Sequence, residues 1–296
     1  MKILITGSNG LLGQHLVTTL AASGRYQVVA AARGENRLPI TAAAYAYVSL
    51  DITDGIAVNE CIAAHRPDVI IHAAAMTQPD PCEEQQVQCW NINVTATRFL
   101  IDAAKAVNAS FIYISTDFVF DGLHGPYKET DLPGPVNYYG SSKLAAERAV
   151  MESTLQWAIV RTVLVYGNIL AGTRSNIISW VKENLENNKP IKVVSDQLRT
   201  PTYVEDLVKG IVLIVEKKAT GIYHIAGAEE MSPYNMAMAT ASHLQLNKSL
   251  ITEVNDESFT QPAKRPLRTG FVIDKAKNEL GYQPVLFKDA LEKMLE

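Results

Sequence analysis

The stretch KILITGSNGLLG, Lys2–Gly13, carries an apolar strand, a turn with glycines at positions 7, 10 and 13, and the opening of a helix. Glycines so placed let the backbone turn tightly and approach a pyrophosphate, and the N-terminus of the next helix stabilises its charge. The spacing G-x-x-G-x-x-G differs from the G-x-G-x-x-G dinucleotide fingerprint but occupies the same strand–turn–helix context. Gly7, Asn9, Gly10, Leu11, Leu12 and Gly13 are therefore candidate cofactor contacts.

Beyond that turn, short aliphatic runs alternate with longer amphipathic stretches: YQVVAAA, AYVSL, DVIIH, SFIYIS and WAIVR. Several runs are apolar at nearly every position, as central parallel strands covered by helices on both faces are. The rhythm predicts a Rossmann-like, doubly wound α/β parallel sheet. After RTVLVYG it loosens into a helix over 176–186, a strand IKVV, a helix over 204–217, a strand GIYHIAG, and a helix capped by Ser232 with Pro233 at its first position. We expect a dinucleotide-binding domain over 1–167 and a smaller mixed α/β substrate lobe over 168–296, with chain segments crossing between them and a binding cleft at their junction.

The 296 residues are 47% hydrophobic and 20% charged, as in ordinary globular proteins, and the net charge of −4 argues against nucleic acid as the main partner. Three cysteines without C-x-x-C spacing indicate neither a disulfide framework nor a zinc knuckle, so a reducing compartment is expected. The early glycines interrupt a signal-peptide core, and no run of roughly 18 apolar residues suggests a membrane span. A cytoplasmic protein is expected. The six histidines lack ligand spacing, and His72 reads as a satisfied core residue.

At the end of the second strand, where NAD sites carry an acidic residue, the chain has Arg33. A guanidinium there would pair with a ribose phosphate, which favours NADPH, with NADH as the alternative. Asp51 and Ile52 after the third strand, and Ala73, Ala74 and Ala75 after the fourth, lie at further strand ends where ligands gather. In NYYGSSK, Tyr139 has Lys143 four residues on, one helical turn away on the same face. An ammonium nearby would lower the phenol's pKa from ~10 and make a tuned proton donor. Ser115 and Thr116 end the fifth strand facing the same cleft; Thr116 is the better candidate to hold a carbonyl, Ser115 the nearer to the cofactor. Tyr138 lacks such a lysine and reads as packing or pocket entrance.

These motifs, with RPDVIIHAAAMT, NINV, STDFVFDG, YGSSKLAAE, DQLRTPTYVEDL and KRPLRTGFVIDKAKNELGYQP, resemble in order and along essentially the whole chain the extended short-chain dehydrogenase/reductases. Within them they resemble the branch typified by dTDP-4-dehydrorhamnose reductase. The resemblance implies that Tyr139 protonates a 4-keto oxygen as NAD(P)H delivers hydride, that Lys143 holds the ribose and tunes Tyr139, that Thr116 orients the carbonyl, and that Asn93 lies close to the cofactor pocket. The substrate side is expected to include Thr77, Asp117, Leu164, Arg199 and Arg265, with Lys264 and Arg268 as further candidates to meet a nucleotide-sugar diphosphate. Leu164 replaces a family tryptophan of the sugar pocket, and the segment MTQPDPCEEQQ departs from the family pattern. His15 stands where some relatives carry a magnesium-binding acidic residue, so no metal is expected. The implied protein is a monomer or homodimer. Two other readings accompany it: an NADP-binding regulatory subunit resembling the methionine adenosyltransferase β subunit, and a nucleotide-sugar epimerase or dehydratase. A dehydratase would want an Asp-Glu pair where this chain has Asp117 followed by Phe118.

Overall fold

In the computed structural model, which describes residues 1–38, 44–172 and 175–295, the chain begins with β1 (Lys2–Thr6) and turns at once into α1 (Leu11–Ala22). Then come β2 (Gln27–Ala32), β3 (Ala46–Ser49), α2 (Gly55–His65) and β4 (Val69–His72). Two short helices, α3 (Pro79–Glu84) and α4 (Gln86–Trp90), lead through a π-helical turn at Asn91–Thr95 into α5 (Ala96–Val107) and β5 (Ser110–Thr116). The chain continues with α6 (Tyr138–Met151), β6 (Trp157–Thr162), β7 (Val165–Tyr166), α7 (Ile177–Glu186), β8 (Ile191–Val194) and β9 (Thr202–Tyr203). It closes with α8 (Val204–Lys217), β10 (Gly221–His224), α9 (Pro233–His243), β11 (Ile251–Val254) and α10 (Phe287–Leu295).

Seven strands form the central sheet in the order β10-β6-β5-β4-β1-β2-β3, and every ladder in it is parallel. The period-2 geometry of a strand sends alternate residues to opposite faces. Ile3 and Ile5 of β1 join Leu16 and Leu20 of α1 and Leu207 and Ile211 of α8 on one face; Leu4 joins Ile62 of α2 and Leu100 of α5 on the other. All of these are buried, and each such side chain contributes about 1.5–3 kcal/mol. Winding reverses between β1 and β4, so a crevice opens at their C-terminal ends.

The helix expected over 176–186 starts one residue later, because Asn176 is its cap and accepts from the backbone N–H groups of Ile178 and Ser179. Ser232 caps α9 with Pro233 at its first position, as read from the sequence. β8 pairs with β11 under α7 and α9 as a small second layer. GIYHIAG, read with the smaller lobe, supplies β10, which pairs with β6 as the seventh strand of the large sheet. Periodicity reports which residues form a strand but not which sheet receives it. No described helix is long and apolar enough to cross a membrane.

His72 is a satisfied core residue: its Nδ1 lies 2.7 Å from Thr6 Oγ1 and its Nε2 3.0 Å from Thr97 Oγ1. Burial, aided by the Lys143 ammonium, pushes its pKa from 6.5 down to about 3. His224, stacked on Phe271 at 3.8 Å between centroids, is pushed to about 3 mainly by burial as well. Between these values the unfolded chain binds protons that the folded one refuses, so stability must fall as pH drops from 6.5 towards 3. Melting temperatures from pH 7.5 to 4 should decline, with a shallower slope in His72→Asn and His224→Asn; an unchanged slope in both variants would remove the two histidines as the cause.

Candidate active site

Gly7 takes a φ of +72°, and a Cβ there would lie 2.7 Å from the Ala74 nitrogen, so only glycine lets the turn touch the end of β4. At Gly13 a Cβ would overlap the Gly7 carbonyl, which seats α1 directly against the turn. Gly10, the N-cap of α1, offers no side-chain cap, so the first amides of the helix are free to meet an anion. Leu11 and Leu12 are half-buried at that point, and the Ser8 hydroxyl is buried beside it without a partner among the described residues. Asn9 ties the turn to the loop after β2: its Nδ2 donates to Glu35 O at 2.9 Å and its Oδ1 accepts from Arg37 N at 2.9 Å.

That tie presents Arg33, exposed, at a cavity of about 880 Å³ lined also by Thr53, Glu83, Gln86, Asn91 and Ile92. Asp51 accepts from Thr53 N and Oγ1, which holds its carboxyl below the usual range, and Arg33 adds to the effect. Ile52 is buried, and Ala73, Ala74 and Ala75 line the crevice half-buried. A cradle that any Cβ would fill, an unpartnered buried hydroxyl and an arginine at the rim fit a nicotinamide dinucleotide carrying a ribose phosphate.

β5 delivers Ser115 and Thr116 to the same edge, and the Ser115 hydroxyl is buried without a partner among the described residues. α6 begins after Asn137, whose side chain accepts from Gly140 N at 2.9 Å, so Tyr139 sits in the first turn and Lys143 one turn on. Tyr139 is buried with its ring edge-on to Phe118 and its phenol close enough to Thr116 to feel it. The expected lowering of the phenol's pKa is not what the fold produces. Burial raises it, and the Thr116 contact only opposes that rise. Lys143 donates to Ile114 O at 2.7 Å and lies 4.1 Å over the Tyr113 ring, and burial brings its own pKa down to about 7 against the pull of Glu147. Desolvation thus moves both groups towards their neutral forms.

Asn93 lies in the π-helical turn, a distortion frequent at functional sites. Its amide accepts from Met76 N at 2.8 Å and donates to Met76 O and Ser142 Oγ at 3.0 and 2.9 Å, joining the loop after β4 to α6. From the sequence Asn93 is expected at the cofactor pocket, whereas Met76, Ser142, Cys82 and Cys89, which surround it or Tyr139, carry no expected site role, since no motif marks them.

The substrate-side candidates divide. Asp117 is buried, accepts from Thr116 Oγ1 at 3.1 Å and from Thr269 Oγ1, and faces Arg199 Nε at 3.4 Å. Burial raises its pKa, with Arg199 opposing. Arg199, expected on a diphosphate, spends its other donors on Leu198 O, Leu267 O and Pro266 O, so it braces the segment 266–269. Arg265 makes a two-pronged pair with Asp80 at 2.7 and 2.6 Å and also lines a cavity of about 360 Å³ with Trp180, Lys192, Phe259 and Gln261. Thr77 is exposed after β4, and Leu164 is 39% exposed at a φ of +37°. Lys264 O accepts from Asn137, while Arg268 pairs with Glu230 at the surface. His15 is bonded to Asn168 O at 2.8 Å.

A parallel sheet with a glycine turn at its switch point, facing a tyrosine–lysine helix across a strand that ends in Ser-Thr, defines an extended short-chain dehydrogenase/reductase, an oxidoreductase class that works with NADP or NAD. The RmlD substrate binding domain family model matches residues 1–296, and the chain belongs to that family. It is 32% identical over 305 residues to dTDP-4-dehydrorhamnose reductase of Aggregatibacter actinomycetemcomitans, covering 99% of this chain and 98% of the relative. It is 33% identical over 270 residues to methionine adenosyltransferase 2 subunit beta of Rattus norvegicus, covering 90% and 78% respectively. The crystal structure of dTDP-4-dehydrorhamnose reductase from Bacillus anthracis str. Ames in complex with NADP superposes with a TM-score of 0.87 at 29% identity, covering 99% of this chain and 98% of that one.

Proposed function

We propose that this chain reduces the 4-keto group of a nucleotide-linked 4-keto-6-deoxyhexose with NADPH, and that dTDP-4-dehydrorhamnose, converted to dTDP-rhamnose, is the substrate. The observation that carries this reading is the buried Tyr139 phenol in the first turn of α6, one turn ahead of the buried Lys143 and across from the Ser115–Thr116 end of β5. NADPH, when bound, supplies the hydride that goes to the carbonyl carbon. Tyr139, protonated at neutral pH because burial raises its pKa, gives its proton to the carbonyl oxygen. Thr116, held by Asp117, orients that oxygen, and Lys143 holds the ribose. Gly7, Gly10 and Gly13 cradle the pyrophosphate at the start of α1, and Ser115 and Asn93 flank the nicotinamide end. The segment 168–296, apart from α8 and β10, serves as the substrate lobe, with Thr77, Leu164 and Arg265 at the sugar nucleotide. A cytoplasmic monomer or homodimer completes the proposal.

Purified protein mixed with NADPH and freshly generated dTDP-4-dehydrorhamnose should consume NADPH, faster than with NADH or with other 4-keto nucleotide sugars. Arg33→Asp should weaken NADPH about 10-fold or more, the size of one lost hydrogen bond to a charged group, and NADH far less. Fluorescence titration of both cofactors reads this directly, and equal weakening would remove the basis for NADPH over NADH. A second reading stands on the 33% identity to methionine adenosyltransferase 2 subunit beta: a protein that binds NADPH and serves a partner. NADPH binding without turnover of any 4-keto sugar would favour it. An epimerase or dehydratase fits less well, since Arg33 favours NADP and Asp117 precedes Phe118 instead of a glutamate.

A further inference from the structure

Cys82 and Cys89 lie on α3 and α4, on either side of Gln85, whose φ of −119° and ψ of 54° break the helix. In a continuous helix, residues seven apart stand roughly 10 Å from one another along the axis. The break brings both thiols into one buried cluster with Tyr139, and each has 0% exposure. Cys82 Sγ donates to Met76 O at 3.5 Å; Cys89 Sγ contacts Ser142 Oγ at 3.4 Å and accepts from Asn93 Nδ2 at 3.4 Å. Cys61 lies apart, in the core between the sheet and α2. Cys82, with Ser142, Lys143 and Asn93 adding to it, draws the Cys89 thiol below its usual range against the opposing effect of burial. Lowering a thiol's pKa raises its thiolate share, and the thiolate is the nucleophilic form.

We propose that Cys82 and Cys89 are a redox-modifiable dithiol which a hydroperoxide closes to an intramolecular disulfide, and that the disulfide switches off chemistry at Tyr139. The Cys89 thiolate attacks a peroxide oxygen, the O–O bond breaks, and the leaving oxygen departs as water after taking a proton from solvent. The Cys89 sulfenic acid formed is then attacked by the Cys82 sulfur; the S–O bond breaks and its oxygen leaves as water with the Cys82 proton. Two thiols lose two electrons, and the peroxide takes them. Access comes through local opening of α4, a five-residue helix whose Val87 is 77% exposed. Closing the disulfide removes Cys89 from Ser142 and Asn93, and Ser142 Oγ donates to Tyr139 O at 2.7 Å, so the first turn of α6 loses its support.

The effect on turnover rests on the reductase reading, whereas disulfide formation does not. The full-length protein is treated with hydrogen peroxide, alkylated under denaturing conditions and digested with trypsin. No lysine or arginine lies between the two cysteines, so the disulfide appears within one peptide, lighter by two hydrogens. That peptide should form, Cys61 should stay alkylated, and turnover should drop at least tenfold and return with dithiothreitol. Cys82→Ser should keep its turnover after the same treatment, and Cys89→Ala should form no disulfide. If no substrate is found, NADPH affinity replaces turnover as the readout and should fall on oxidation. Free, alkylated Cys82 and Cys89 after peroxide, or Cys89 sulfinic acid without the disulfide, would overturn the dithiol; a disulfide that leaves both turnover and NADPH affinity unchanged would overturn the switch.

Discussion

Tyr139→Phe is expected to lower kcat for 4-keto sugar reduction by ~100-fold or more, the usual worth of a positioned general acid, and to leave NADPH affinity unchanged. The substitution keeps the ring that packs edge-on against Phe118 and removes only the hydroxyl. Burial holds the phenol protonated at neutral pH, the form a reduction consumes, so the variant loses the proton and not the binding surface. A Lys143→Met control separates the two effects, since it should weaken NADPH as well as slow turnover. Steady-state rates beside a fluorescence titration of NADPH decide the matter. A Tyr139→Phe enzyme within a few-fold of the parent would mean that another group supplies the proton.

Glu147→Ala should cost the fold about 3–5 kcal/mol, the scale for removing one partner of a buried ion pair. Glu147 and Arg161 are joined through two bonds of 2.9 and 2.7 Å, and their side chains are 0% and 2% exposed. The guanidinium also lies 5.1 Å over the Phe120 ring, and its Nη1 has no hydrogen-bond partner among the described residues. Losing the carboxylate strands a charge between α6 and β6. Thermal unfolding should drop by roughly 10 °C on the scale of a large domain, and the double variant Glu147→Met with Arg161→Leu should regain much of it. Glu147 is also what opposes the downward shift of Lys143, so its loss should make that amine still less basic. A loss under about 1 kcal/mol, as at an exposed pair, would show that the site is wetter than the fold implies.

How far these features could be read in advance follows from how local their causes are. The strand–turn–helix at Lys2–Gly13 and the Tyr139–Lys143 spacing depend on neighbouring residues only, and both read correctly as structure because a φ of +72° and a one-turn offset are local facts. The Ser232 cap and proline start of α9 belong to the same class, whereas Asn176, read as the first residue of its helix, is the cap. What depended on distant packing did not read. GIYHIAG joins the large sheet because Ile222 and Tyr223 pair with Ile159 and Val160 of β6, 63 residues earlier in the chain. Arg199 turns inward because Asp117 and the carbonyls of 266–267 await it. The Tyr139 phenol is raised instead of lowered because desolvation, a property of the whole surround, outweighs one contact. Asp80 and the paired cysteines fall in the segment 76–86 and just after it, where the family pattern fails and the motifs offered no guide.

The most direct test of the central claim follows an atom. NADPH carrying deuterium at its transferable position is incubated with the protein and dTDP-4-dehydrorhamnose, and the sugar product is examined by mass spectrometry and NMR. The account predicts deuterium at C4 of a dTDP-6-deoxyhexose, formed at least ~100-fold more slowly by Tyr139→Phe. Tight NADPH binding with no deuterium reaching C4 of any 4-keto nucleotide sugar would contradict it and leave a dinucleotide-binding protein that acts through a partner.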